Sequence, residues 1–421
     1  MSLTAHETRP RRRWRFSFKR VLLIIVIFVA IGVALPFGCV GNREFNTAPE
    51  DYLRTFTTDG GLPYAVAVVE FDDQGEPWDL AQLDAAVEMI RRLNSESEHG
   101  IVLYQFIHGW KSNASRDEDS GARLAWFEGE IAGIAEYSEA AARDSGEAPR
   151  PVVGLFIGWR GRTYSLPLLI DASFWNRRVA AHRMASMRLV EVLQRTLHAA
   201  NESPTAKCVL LGHSMGGMIL EKTLGSTVVA EAMSVEGTEG SVALGYDLIV
   251  SANSSSEALY TKQLIDVLKR SSVELVLEDT AGNHQPAGGP MMASITSEVD
   301  AVTRWMVPLA MTLNSVFVRY RDYADTTVPS QRYLGVHTAG HVPYLFSHKV
   351  EIRGDQLMLT ELPDRWNDTA FWVFQVPEKI SGDHSDISSP LWGRLMLLLM
   401  EQNQVFNPEL ELRLADVSSD S

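Results

Sequence analysis

Residues 207–224 read KCVLLGHSMGGMILEKTL, and the reading of this stretch decides the rest. Cys208–Leu211 is an apolar run of strand length, and Met215–Leu224 has helical composition. Between them stands Gly212-His213-Ser214-Met215-Gly216-Gly217. Gly212 and Gly216 carry no side chain to obstruct a tight turn, so the Ser214 hydroxyl would project from a sheet edge. The first N–H groups of the following helix would then point at whatever reacts there. In a strand–turn–helix context, G-x-S-x-G marks Ser214 as a nucleophile.

Outward from this turn, short apolar runs alternate with stretches of helical spacing. Strands are expected at Tyr64–Phe71, Ile101–Ile107, Val152–Ile157, Cys208–Leu211, Leu248–Val250, Met291–Ile295 and Phe371–Val376. Helices are expected at Leu80–Leu93, Leu124–Ala142, across the long amphipathic stretch Phe174–Ala199, at Met215–Leu224 and at Leu391–Gln402. Runs apolar on both faces, alternating with helices, predict an α/β fold with a mostly parallel sheet covered on both sides. Between residues 301 and 370 the pattern blurs, with an apolar stretch at Trp305–Val316, and an inserted cap is expected there.

The chain has 421 residues, 45% hydrophobic and 22% charged, which excludes disordered and low-complexity classes. Its net charge of −15 argues against a nucleic-acid partner. Residues 1–20 nevertheless hold seven basic side chains (Arg9, Arg11, Arg12, Arg13, Arg15, Lys19, Arg20) against Glu7. Twenty uncharged residues follow, 21–40, and at about 1.5 Å each they match the hydrocarbon core of a bilayer. The positive-inside rule places the basic cluster in the cytoplasm and the rest outside it, as expected for a bacterial inner-membrane anchor. Pro36-Phe37-Gly38 makes a poor cleavage site, and Pro36 stands where a lipid-modified Cys39 would want leucine, so an uncleaved anchor is preferred. Residues 41–62 read as a linker, 63–405 as one catalytic domain and 406–421 as an acidic tail. Two cysteines, Cys39 and Cys208, exclude a disulfide scaffold; Cys208 reads as a small buried hydrophobe.

A second motif, Phe106-Ile107-His108-Gly109-Trp110-Lys111, ends the Ile101–Ile107 run, and Phe156-Ile157-Gly158-Trp159-Arg160-Gly161 follows the next. Together with GHSMGG these resemble the α/β-hydrolase superfamily, in particular a bacterial branch with HGW after the third strand and GHSMGG after the fifth. The resemblance spans roughly residues 63–402. It implies an oxyanion hole built from the backbone N–H groups of Met215 and Trp110. His108 and His213 are read as side chains that orient loops.

A serine hydroxyl needs a histidine to accept its proton and a carboxylate to fix the histidine tautomer. The superfamily order is serine, acid, histidine. His337, His341, His348 and His384 follow Ser214 and a plausible acid, and only His384 falls between the last strand and the last helix. Its context, Asp383-His384-Ser385-Asp386-Ile387, resembles the H-x-D-I segment of the same branch. Asp300, in Thr296-Ser297-Glu298-Val299-Asp300 after the seventh strand, takes the usual position of the acid; Glu298, Asp279 and Glu257 are the alternatives.

Trp110, Trp159 and Trp175 are candidates for a partly apolar substrate pocket, and Lys111 or Arg160 for an acidic substrate group. The loop HTAGHVPY offers His337 and His341 without cysteine or carboxylate partners, which argues against zinc. The resulting expectation is a membrane-anchored serine hydrolase of a carboxylic ester, esterase- or lipase-like, needing no cofactor or metal. Two other readings stay open: a non-catalytic binding protein on the same scaffold, and an acyltransferase using the same acyl-enzyme.

Overall fold

A computed structural model describes residues 41–116, 123–164, 167–234, 244–271, 276–278, 284–286, 289–354 and 356–406. Eight strands form its main sheet: β1 (Leu53–Thr57), β2 (Pro63–Glu70), β3 (Val102–Ile107), β4 (Val152–Gly158), β5 (Lys207–His213), β6 (Leu248–Ala252), β7 (Met292–Ser297) and β8 (Phe371–Val376). Their order across the sheet is β1-β2-β4-β3-β5-β6-β7-β8. Only β1 runs antiparallel to its neighbour; every other pairing is parallel.

Side chains alternate across each strand, so both faces need cover. Ala65, Ala67, Val69, Leu103, Leu155 and Leu210 share one core with the helices Leu80–Glu96, Met187–Ala200, Met215–Ser234 and Ala258–Ser271. Val66, Val68, Tyr104, Phe106, Phe156 and Val209 share the other with Arg123–Ser145 and Pro390–Gln402. The result is an α/β fold with a mostly parallel sheet between two helical layers.

Two expectations meet a different arrangement. The stretch expected as one helix, 174–199, is two, Phe174–Met184 and Met187–Ala200. The break falls where the Ser186 hydroxyl accepts the Leu189 N–H and donates to the Gly75 carbonyl, a local bond that competes with helix continuation. Residues 41–62, expected as a linker, are built into the fold instead: the Glu70 carboxylate accepts the N–H groups of Phe45 and Asn46, and 53–57 pairs as β1. β1 mixes exposed and half-buried residues, so it carries little of the apolar signal that betrays the central strands. The 301–370 region inserts between β7 and β8 as helical segments followed by the hairpin His348–Arg353/Gln356–Glu361. The expected anchor (21–40), Cys39 and the acidic tail from residue 407 lie outside the described residues. Among the described residues, no helix is long and apolar enough to cross a membrane.

Topology positions the site. In parallel strands all carboxyl ends lie on one edge, where ligands bind in such sheets. The loops after β5, β7 and β8 therefore open on the same side. Register aligns Ile107 of β3 with Gly212 of β5, which brings the loop after β3 beside Ser214.

Candidate active site

Ser214 sits at φ +58°, left-handed backbone that a non-glycine residue adopts only when its surroundings impose it. They do: the Ser214 N–H donates to the Ala252 carbonyl at 2.9 Å, and its own carbonyl accepts Ser255 N–H at 3.1 Å. Glycine is required beside it by close approach. A Cβ on Gly216 would collide with the Ile107 carbonyl and stand 2.7 Å from that of His108. The helix Met215–Ser234 begins at once, so the N–H groups of its first turn have no partner within it.

The Ser214 hydroxyl lies 2.6 Å from His384 Nε2, and His384 Nδ1 lies 2.7 Å from Asp300 Oδ2. A carboxylate only accepts, so Nδ1 carries the hydrogen and Nε2 is left to accept from the serine. Asp300 is fully buried. Burial alone would raise its carboxyl, but the charge and hydrogen bond of His384 and the bonds from Thr303 outweigh that and hold it below the ordinary aspartate value. It also caps the segment that follows, accepting Val302 N–H at 2.8 Å and Thr303 N–H at 3.1 Å on Oδ1.

The same reasoning orders a longer chain of bonds behind Asp300. The Thr303 hydroxyl donates to Asp300 Oδ2 at 2.5 Å, so its oxygen accepts from His341 Nε2–H at 3.0 Å, and His341 Nδ1 accepts from Gln375 at 3.2 Å. Burial pushes His341 down to about 4, which keeps it neutral, and its two partners select this tautomer. On the other side, the His384 carbonyl accepts from His213 Nε2 at 2.8 Å and Asn253 Nδ2 at 3.0 Å. Burial also drives His213 well below its ordinary value. Thr303, Gln375 and Asn253 escaped sequence reasoning, and His341 was weighed only as a base or zinc ligand; the spacing Asp300-x-x-Thr303 is the one local hint.

The loop after β3 packs on the nucleophile. A Cβ on Gly109 would stand 2.6 Å from Ser214 Cβ, so Trp110 follows directly past Ser214. The Trp110 indole is buried, donating to Ser173 Oγ at 3.2 Å. His108 is buried and holds this loop: Nε2 accepts Trp159 N–H at 3.0 Å, so Nδ1 carries the hydrogen and donates to the Gly109 carbonyl at 2.9 Å. Burial holds His108 at about 4, in keeping with that neutral form.

Trp159, expected to contact substrate, is only 2% exposed, and its indole N–H donates to the His108 carbonyl at 2.8 Å. It stacks on the His108 ring and so buttresses the loop from within the core. Trp175 is exposed, edge-on to Phe174. Lys111 pairs with Asp171, and Arg160 with Asp73. Glu298 points outward, toward the Glu378 N–H, and Glu257 pairs with Arg178 and Lys222; Asp279 lies outside the described residues. His337 stacks on Tyr333 and His348 on Trp372. Among the described residues no group of three His, Cys, Asp or Glu side chains is arranged to hold a metal ion. A cleft of about 530 Å³, lined by Asp73, Arg160, Tyr164, Ser173 and Arg177, adjoins the Trp110 loop through Ser173.

No protein family and no curated protein matches the chain by sequence. Among solved structures it is similar to phospholipase PlaB from Legionella pneumophila in complex with thio-NAD, at 12% identity and a TM-score of 0.30, over 72% of this chain and 59% of that one. A second structure of that phospholipase is similar at 12% identity and a TM-score of 0.23, over 65% and 52%. The chain thus spans between half and three-fifths of the length of the PlaB chains it matches.

Proposed function

We propose that the chain is a serine hydrolase of carboxylic esters, built as an α/β-hydrolase catalytic domain over residues 63–405 and held at a membrane by residues 21–40. The observation that carries this reading is the line of bonds from the Ser214 hydroxyl through both nitrogens of His384 to the buried Asp300. The strand order and the serine on a strained strand-to-helix turn support it as well.

In this mechanism His384 Nε2 takes the Ser214 proton as Oγ bonds to the ester carbonyl carbon. The carbonyl oxygen becomes an oxyanion, which the N–H groups of Met215 and Trp110 hold; losing one such donor costs on the order of 3 kcal/mol in the barrier. The carbon–oxygen bond to the alcohol then breaks, His384 gives the alcohol its proton, and an acyl-Ser214 ester remains. Water repeats the sequence, giving up a proton to His384 and releasing the acid while Ser214 recovers its hydrogen. Asp300 stays ionised throughout, fixing the imidazole and stabilising its cationic form.

The test is a fluorophosphonate probe read by intact-protein mass on the wild type, Ser214→Ala and His384→Ala. One stoichiometric adduct, absent in both variants, is expected. Ester hydrolysis retained by folded Ser214→Ala would overturn the assignment.

A further inference from the structure

Two residues beyond Asp300 begins a helical segment, Val302–Met306 running into Val307–Asn314. Thr303, Val307 and Ala310 face inward and are buried. The opposite face is also apolar. Trp305, Leu309 and Leu313, each four residues apart, are 69%, 58% and 56% exposed, and Phe317, in the turn just past the helix end, is 97% exposed. A helix apolar on all sides is ordinarily covered, and a contiguous exposed ridge marks a contact surface.

Charge and position say what covers it. Residues 301–321 contain Arg304, Arg319 and Arg321, all exposed, and no acidic residue, in a chain whose net charge is −15. The Arg304 guanidinium lies over the Trp305 ring, 5.7 Å from its centroid. Apolar and aromatic side chains flanked by arginine are the composition of a segment lying in a lipid interface. The segment follows β7, on the carboxyl edge of the sheet. The chain enters the fold on that same edge: Phe45 and Asn46 bind Glu70, the last residue of β2, and the Asn46 side chain binds the Ala114 carbonyl beyond β3. The uncharged stretch 21–40 directly precedes this entry point.

We propose that the ridge Trp305–Leu309–Leu313–Phe317 seats in the headgroup–acyl boundary of an anionic bilayer, with Arg304, Arg319 and Arg321 on the lipid phosphates. This surface goes beyond the hydrolase reading and stands without it; only its consequence, that an ester reaches Ser214 from the bilayer, rests on that reading.

The experiment uses the full chain in phosphatidylcholine–phosphatidylglycerol vesicles, with Cys39→Ser as background and Cys208 buried. A nitroxide is placed in turn at Leu313→Cys, at Phe317→Cys and, as a water-facing control, at Met233→Cys. Met233 is exposed near the far end of the helix that leads away from Ser214. The ratio of collisions with oxygen to those with a water-soluble nickel chelate should rise at least about tenfold at 313 and 317 relative to 233. The variant Leu309→Ser/Leu313→Ser/Phe317→Ser, altered only at exposed positions, should hydrolyse a soluble short-chain ester within about twofold of wild type but a vesicle-borne ester about tenfold more slowly. Equal ratios at all three sites would overturn the proposal, as would spin–spin broadening at 317 between copies, which would make the ridge an interface between two chains. Immersed labels without hydrolysis of either ester would uphold the ridge and refute the hydrolase.

Discussion

His213 Nε2 donates to the backbone carbonyl of His384 at 2.8 Å, so the residue before the nucleophile holds the loop that carries the base. Ser214 and His384 are thereby tied twice, once through their side chains and once through this brace. Asn253 donates to the same oxygen at 3.0 Å and also accepts Ser297 N–H at 2.8 Å, linking the end of β7 to the arrangement. His213→Ala is expected to lower kcat for ester hydrolysis by about ten- to hundredfold with little change in KM, since misplacing a reacting group by an ångström costs that much. Combined with Asn253→Ala the losses should be non-additive, because both donors serve one carbonyl. Steady-state kinetics on the four-member cycle checks this; additive effects would mean the two donors act separately.

Gly109 marks where the loop after β3 touches the nucleophile. Its missing Cβ would stand 2.6 Å from Ser214 Cβ and 2.7 Å from the His213 carbonyl, against backbone that cannot retreat. Gly109→Ala should destabilise the fold by about 1–3 kcal/mol through overpacking. It should also shift the Trp110 amide and reduce probe labelling of Ser214. Trp110→Ala, which keeps the backbone N–H, should retain labelling while losing stability. Denaturant melts read alongside labelling rates separate the two effects.

Thr303 connects the triad to His341. Thr303→Val removes the hydroxyl donor to Asp300 Oδ2 and the acceptor for His341 Nε2–H, at a cost of about 1–3 kcal/mol for the unsatisfied groups. Thr303→Ser should restore most of it. The Asp300 carboxyl is held below its ordinary value, so its contribution to stability is present at neutral pH and disappears as pH falls through its folded-state value. Losing a donor raises that value, so in Thr303→Val the contribution should be smaller at neutral pH and be exhausted at a higher pH than in wild type. Stability measured across acid pH would show an unmoved limb if Thr303 had no such role.

His108 predicts a second pH dependence. Burial holds its folded-state value at about 4 against an ordinary 6.5, so the unfolded chain binds the proton more readily. Its contribution is complete above about pH 6.5 and declines by about 1.4 kcal/mol per pH unit as pH falls toward 4. His182, His341 and His348 are also pushed down to about 4, chiefly by burial, so the whole chain should lose stability steeply in this window. His108→Gln should remove about one proton's share of that slope. An unchanged slope would mean that His108 is not buried neutral.

Much of the architecture is legible in the sequence. A central strand such as Val152–Gly158 announces itself because both faces are buried and no polar residue interrupts the run. β1 does not, since it lies at the sheet edge with mixed exposure, and its pairing with β2 is a long-range fact. Ser214 stood out from its turn, and Asp300 and His384 from their places in the chain order. Their catalytic roles remain the proposal tested above. Trp159 was misjudged because a tryptophan past a strand end looks the same from sequence whether it lines a cleft or, as here, stacks on His108.

The sequence by itself determined the alternation of buried runs and helices, the glycine-flanked serine and the polarity of its two ends, because these are local properties read over a few residues. His384 is singled out by its place between the last strand and the last helix; only the tertiary structure decided that His341 sits behind Thr303. His384 and His341 lie 170 and 127 residues beyond Ser214. Sheet register and loop packing set which partners each ring meets, and those partners fix the tautomers that direct every bond from Gln375 to the nucleophile.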